Sequence, residues 1–204
     1  TLLLAQWRRD WLAQGGVVIW LAPDEHDDPL RLAHGLAVAK AVGSGRRVMP
    51  QSSTSLFGKG ADDLDELTSW LAEIADLGAE TLLILDDAHS LPEATARHSL
   101  TYLLRNTPAN LRVAMASRGR MALPMAELLA QGYFGVVGVE DLRFTLDETL
   151  ALLATRFGQR LELDDCAHLH EITEGWPLGL QLTISAIERS SDLHSAIRDL
   201  AVSN

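Results

Sequence analysis

Thr81-Leu-Leu-Ile-Leu-Asp86-Asp87-Ala-His89 is the stretch on which the fold turns. Its first five residues are apolar or β-branched without polar alternation, which reads as a strand buried on both faces in a parallel sheet. Two carboxylates follow at once. In open α/β sheets, ligands collect beyond the carboxyl ends of the strands. Asp86 could therefore hold Mg²⁺ through hard oxygen ligation, and Asp87 could orient or deprotonate an attacking water. The same pair also suits a plain strand end and turn, where acids are common.

Working outward, Val17–Leu21 (VVIWL) is a second continuous apolar run bounded by Gly and Pro. Residues 2–14 carry leucine and tryptophan at helical spacing and stop at Gly15-Gly16. Residues 30–42 and 62–77 read as helices, separated by a Gly-, Ser- and Arg-rich loop reaching about Gly60. A helix is expected over 92–105, a strand over 111–116, a short helix over 124–130 and another strand over 133–139. This alternation predicts an α/β core with a mainly parallel sheet. From Thr145 onward only helices are expected, over 146–157, 164–172, 177–189 and 192–202. Thr145-Leu-Asp-Glu148 is a capping box that opens the first of them. The expected domains are therefore 1–143, the α/β core, and 144–204, a helical subdomain.

Composition narrows the function classes. The chain has 204 residues, 47% hydrophobic and 22% charged, enough to bury a sizeable core. A net charge of −11 argues against a broad nucleic-acid-gripping face, which needs clustered Lys and Arg. The single cysteine, Cys166, excludes an internal disulfide, and no apolar run suggests a membrane span or a signal peptide. A cytoplasmic setting is expected. A start at Thr1 rather than Met points to a longer parent.

Other residues carry readings of their own. Ser117-Arg118-Gly119-Arg120 follows a strand, where an arginine can neutralise a terminal phosphate or simply sit in a solvated loop. Glu174-Gly175-Trp176-Pro177 joins two helices, and its Trp-Pro corner could stack on adenine or serve packing alone. Gly58-Lys59-Gly60 imitates a phosphate loop but has Ser at position 53 and no Ser or Thr after the lysine. Cys166, His168 and His170 do not share one helix face, so zinc is not expected. Asp87, His89 and Ser90 are too close in sequence for a triad. Asp24, Asp27 and Asp28 lack the rest of a calcium loop and suit turns and a helix cap.

Taken together, these residues resemble the large bacterial LuxR-type regulators of the MalT kind, signal-transduction ATPases with numerous domains. The resemblance runs through residues 1–7, the strand and turn from Val18 to Pro29, the Leu83-Ile-Leu-Asp-Asp-Ala-His89 segment, residues 110–118, Leu142-Arg-Phe-Thr145, and residues 173–182. It implies a P-loop NTPase core of the ASCE type followed by a helical subdomain. It also implies ATP and Mg²⁺ as cofactors. By the same resemblance Thr1 would be the Walker A hydroxyl on Mg²⁺, Asp86 the Walker B metal ligand and Asp87 the acid that positions water. Arg118 would contact the γ-phosphate, with Trp176 and Pro177 beside adenine. The Gly-rich loop, its lysine and the strand leading into it would precede Thr1, so the 204 residues alone are not expected to hydrolyse ATP. In the family the missing strand lies between the strand ending at Ala116 and that around Val137. Such a parent would bind an inducer (small molecule or protein) through other domains and self-associate with ATP. It would reach DNA through a helix-turn-helix outside this chain and act as a switch that hydrolyses slowly. A non-catalytic NTPase-like scaffold is the alternative, and an AAA+-type remodelling ATPase a third.

Overall fold

The computed structural model describes residues 1–45, 63–130, 132, 134–190 and 197. The chain divides into two units, Thr1–Phe134 and Gly135–Asn204. The division falls before the short helix Val139–Leu142, so the segment leading to Thr145 goes with the helical unit.

In the first unit, β1 (Val17–Leu21), β2 (Thr81–Leu85) and β3 (Leu111–Met115) form a parallel sheet in that order. The register is even: Val17, Thr81 and Leu111 are level at one end, and Leu21, Leu85 and Met115 at the other. β2 lies between two partners and is buried at all five positions, as its unbroken apolar run requires. Alternation sends its residues to two faces. Leu82 and Ile84 join Val18 and Leu4, while Leu83 and Leu85 join Ile19 in the larger core. That larger core draws on α2 (Pro29–Gly43) through Leu32 and Leu36, and on α3 (Asp63–Asp76) through Leu67, Trp70 and Ile74. Helix α1 spans Leu2–Ala13. Asp28 caps α2, its Oδ1 accepting from the Arg31 amide at 2.8 Å.

One expectation is refined and one needs correction. The helix expected over 92–105 is present without a break but changes its winding: α4 (Glu93–Thr95) passes through a π turn (Ala96–Leu100) into α5 (Thr101–Arg105). The buried Thr101 hydroxyl donates to the Ala96 carbonyl at 3.2 Å, giving the widened turn a side-chain partner. After α6 (Met125–Ala130), no strand forms over 133–139 among the described residues. A strand persists only where its backbone groups find a ladder partner, and among the described residues β3, its expected side of the sheet, pairs with β2 alone. The Gly138 amide instead donates to Asp141 Oδ2 at 2.7 Å and begins the short helix α7 (Val139–Leu142).

The second unit continues with α8 (Leu146–Phe157), α9 (Leu163–Thr173) and α10 (Pro177–Glu188) around Leu153, Phe157, Leu169, Ile184 and Ile197. The expected capping box is present, with Glu148 N donating to Thr145 Oγ1 at 3.3 Å and Thr145 N to Glu148 Oε2 at 2.8 Å. The helix expected over 192–202 lies outside the described residues except for Ile197, and so do the loop from 46 to 62 and Gly58-Lys59-Gly60. No helix among the described residues is long and apolar enough to cross a membrane.

Candidate functional site

Because the three strands end level, the residues after each of them emerge at the same edge of the sheet. The ladder runs one step further on both sides of β2. The Asp86 amide donates to the Leu21 carbonyl at 2.9 Å, and the Ala116 amide to the Leu85 carbonyl at 2.9 Å. The Ala88 amide then donates to the Ala116 carbonyl at 2.8 Å. Asp86 and Ala88 are thus tied to opposite neighbours, with Asp87 spanning the change.

Asp86 is buried at 7% exposure, yet its carboxylate accepts only a long bond of 3.3 Å from the Thr1 hydroxyl among the described contacts. Thr1 stands at the N-cap of α1 but its side chain caps no helix amide, and the first turn holds no acid. The hydroxyl and the carboxylate thus form a pair of hard oxygen donors 85 residues apart in sequence.

Asp87 adopts a left-handed backbone, φ 52° and ψ 38°. That region is disfavoured for residues with a Cβ and is visited most readily by Asn and Asp. The bonds from the Asp86 and Ala88 amides hold it there. Its carboxylate lies 3.6 Å from Arg118 Nε. The Arg118 side chain is 82% exposed, while the loop at its base is closed by Ser117, whose hydroxyl donates to the Gly119 carbonyl at 2.6 Å. The Arg118 amide donates to His89 Nδ1 at 3.4 Å. The Asp87 carboxylate is 3.9 Å from the same nitrogen. At that distance the contact with Asp87 is proximity and not a bond.

Trp176 and Pro177 belong to the second unit. Pro177 begins α10 and Trp176 is 42% exposed. Their corner is bound to the chain that leads into α8. The Phe144 amide donates to the Gly175 carbonyl at 2.8 Å, and Arg143 Nη1 donates to the Glu174 carbonyl at 3.1 Å and to its carboxylate at 2.8 Å. Gly175 has φ 68°, and a Cβ there would lie 2.2 Å from the Phe144 carbonyl oxygen, so only glycine fits.

The structure thus brings Thr1, Asp86, Asp87 and Arg118 to one edge of the first unit, and Trp176 and Pro177 to one corner of the second. From sequence no role is read for His89, and Glu174 and Arg143 stand there only within Glu174-Gly175-Trp176-Pro177 and Leu142-Arg-Phe-Thr145, not as partners of each other. The Glu-Gly pair before Trp-Pro carried a signal for a left-handed helix end; Arg143 carried none. Among the described residues no group of three or more His, Cys, Asp and Glu could hold a metal ion. Cys166 is buried, and burial, followed by the nearby Asp165, pushes its thiol above the ordinary value.

The chain matches no known protein-family model. It is 30% identical over 203 residues, 98% of its length, to serine/threonine-protein kinase PknK of Mycobacterium tuberculosis. It is 29% identical over 176 residues (84% of the chain) to the HTH-type transcriptional regulator MalT of Vibrio cholerae. With MalT of Serratia proteamaculans it shares 27% identity over 203 residues (98% of the chain). It spans only 18%, 19% and 22% of the lengths of these three relatives. Over most of its length, then, the chain is a homologue of a segment found in MalT-type transcriptional regulators and in PknK.

Proposed function

We propose that the chain is the nucleotide-binding switch region of a MalT-type transcriptional regulator, built as a P-loop NTPase of the ASCE type. In this reading it takes ATP with Mg²⁺, and hydrolysis in the whole protein is slow. The observation that carries the proposal is the buried Asp86 carboxylate beside the Thr1 hydroxyl, with Arg118 at the same sheet edge. Homology to MalT along most of the chain supports it.

The residues fit the metal in kind. Mg²⁺ in nucleotide sites is held by one or two protein oxygens together with phosphates and water, not by an all-protein cage. One carboxylate and one hydroxyl, with no larger acidic cluster nearby among the described residues, match that demand. When bound, Mg²⁺ would neutralise charge on the phosphate oxygens. Asp86 and Thr1 would orient it, Arg118 would meet the terminal phosphate, and Asp87 would position water. Trp176 and Pro177 would face adenine. No Gly-rich loop ending in Lys-Ser or Lys-Thr lies within the 204 residues, so phosphate grip in the whole protein calls for groups outside them. An inducer would act through other parts of that protein, self-association would accompany ATP, and DNA contact would fall to a separate helix-turn-helix.

The test is calorimetric titration of the natural full-length protein with ATP, with and without Mg²⁺. Asp86→Asn is expected to weaken Mg²⁺-dependent ATP binding by about tenfold or more, the scale of one charge-assisted ligand, and to leave metal-free binding nearly unchanged. Equal Mg²⁺ dependence in wild type and variant would overturn the metal assignment. No ATP binding by the wild type would leave the non-catalytic scaffold standing.

A further inference from the structure

We propose that His89 is a positioning residue: its ring holds the backbone of the Arg118 loop and so sets how well the site distinguishes a nucleoside triphosphate from a diphosphate. The inference rests on the reading of Arg118 as the γ-phosphate contact and adds to it a residue with no role in that reading.

Three observations within the first unit carry it. Arg118 makes few contacts through its side chain, being 82% exposed with only a 3.6 Å approach to Asp87. Its placement must therefore come from its backbone. Ser117 and Gly119 close the turn from within, but an internally closed turn can still swing as a body. The described hydrogen bond that ties the turn to another element is the one from the Arg118 amide to His89 Nδ1 at 3.4 Å. Finally, His89 is aimed there by the backbone. The left-handed Asp87 and the 3-10 turn Ala88–Ser90 fold the chain back after β2, and the Ala88 amide pins that turn to the Ala116 carbonyl at 2.8 Å. The residue as a whole is exposed, though its side chain keeps only 31% of its accessible surface, and it borders a cavity of about 190 Å³ shared with Glu93, Arg120 and Met121.

A long flexible arm is useful for sensing one phosphate only if its root is fixed, because a swinging root spreads the guanidinium over positions that miss the ligand. Loss of the His89 bond should then weaken ATP binding while sparing ADP, which does not reach the arm.

The experiment measures Kd for Mg-ATP and Mg-ADP on the full-length protein by calorimetry, for wild type, His89→Ala, His89→Asn and Arg118→Ala. A side-chain amide oxygen in His89→Asn offers an acceptor near Nδ1. The ATP/ADP affinity ratio is expected to fall about three- to tenfold in His89→Ala, one hydrogen bond's worth, with the ADP Kd unchanged, and to recover at least in part in His89→Asn. If Arg118→Ala lowers the ratio and His89→Ala does not, the positioning role is wrong and the γ-phosphate reading survives. If Arg118→Ala leaves the ratio unchanged, that reading fails, and the proposal with it. Parallel loss of ATP and ADP affinity in His89→Ala and His89→Asn would reduce His89 to ordinary structural support and overturn the proposal.

Discussion

Glu66 on α3 has one carboxylate oxygen, Oε2, that is buried without a hydrogen-bond partner. Burial pushes its pKa up, His34 works against the shift, and Asp63 adds to it. A carboxyl whose folded pKa exceeds its unfolded one favours the protonated state on folding. Its penalty is therefore absent below the unfolded value, grows as pH rises from the unfolded to the folded value, and is complete above the latter. Glu66→Gln removes the charge and should raise the melting temperature at pH 7, with the advantage disappearing near pH 4. A thermal melt at the two pH values checks this, and a variant that melts no higher than wild type at pH 7 counts against the buried charge. The residue scale also shows where sequence stops informing. Asp86 was legible because a continuous apolar run fixes the strand end that it follows. His89 was not, because its aim depends on the left-handed turn at Asp87 and on a loop 29 residues away.

Helix α2 ends at Gly43, whose added Cβ would stand 2.3 Å from the Val18 carbonyl oxygen of β1. Alanine would gain up to about 1 kcal/mol of helix propensity over glycine. Overpacking against a backbone atom that cannot rotate away costs about 1–3 kcal/mol. The second effect wins, so Gly43→Ala should destabilise the first unit by roughly 1 kcal/mol or more on these scales, read from the urea midpoint; an unchanged or higher midpoint would show that the strand yields. Elements with their own local code were legible, as at Thr145 with Glu148 and at Asp28. The strand expected over 133–139 was not, since Val136 and Val137 invite extension locally while a strand needs a partner. The π turn at Ala96–Leu100 left no mark in the helical spacing.

Across the whole molecule, each unit encloses its own hydrophobic core. In the first, β2 is paired on both sides and buried throughout. Its amides, with that of Asp86, which continues the ladder to Leu21, should be among the slowest in the chain to exchange with deuterium. Amide exchange followed by NMR tests this; β2 exchanging as fast as the short helix α6 would refute it. The parallel sheet was legible from its apolar runs, and the division of the chain into two units falls between Phe134 and Gly135, upstream of the change to helices alone that the sequence pattern marks.

The contrast between a buried Asp86 and a nearly free Arg118 has a consequence for how a ligand would arrive. The carboxylate is a fixed post that gives up little motion on contact, whereas freezing the arginine arm forfeits up to about 2 kcal/mol of rotamer freedom. In the proposed role, capture would then be ordered in time: the cation end would settle first on the immobile anchor, and the arm would close on the far phosphate afterwards.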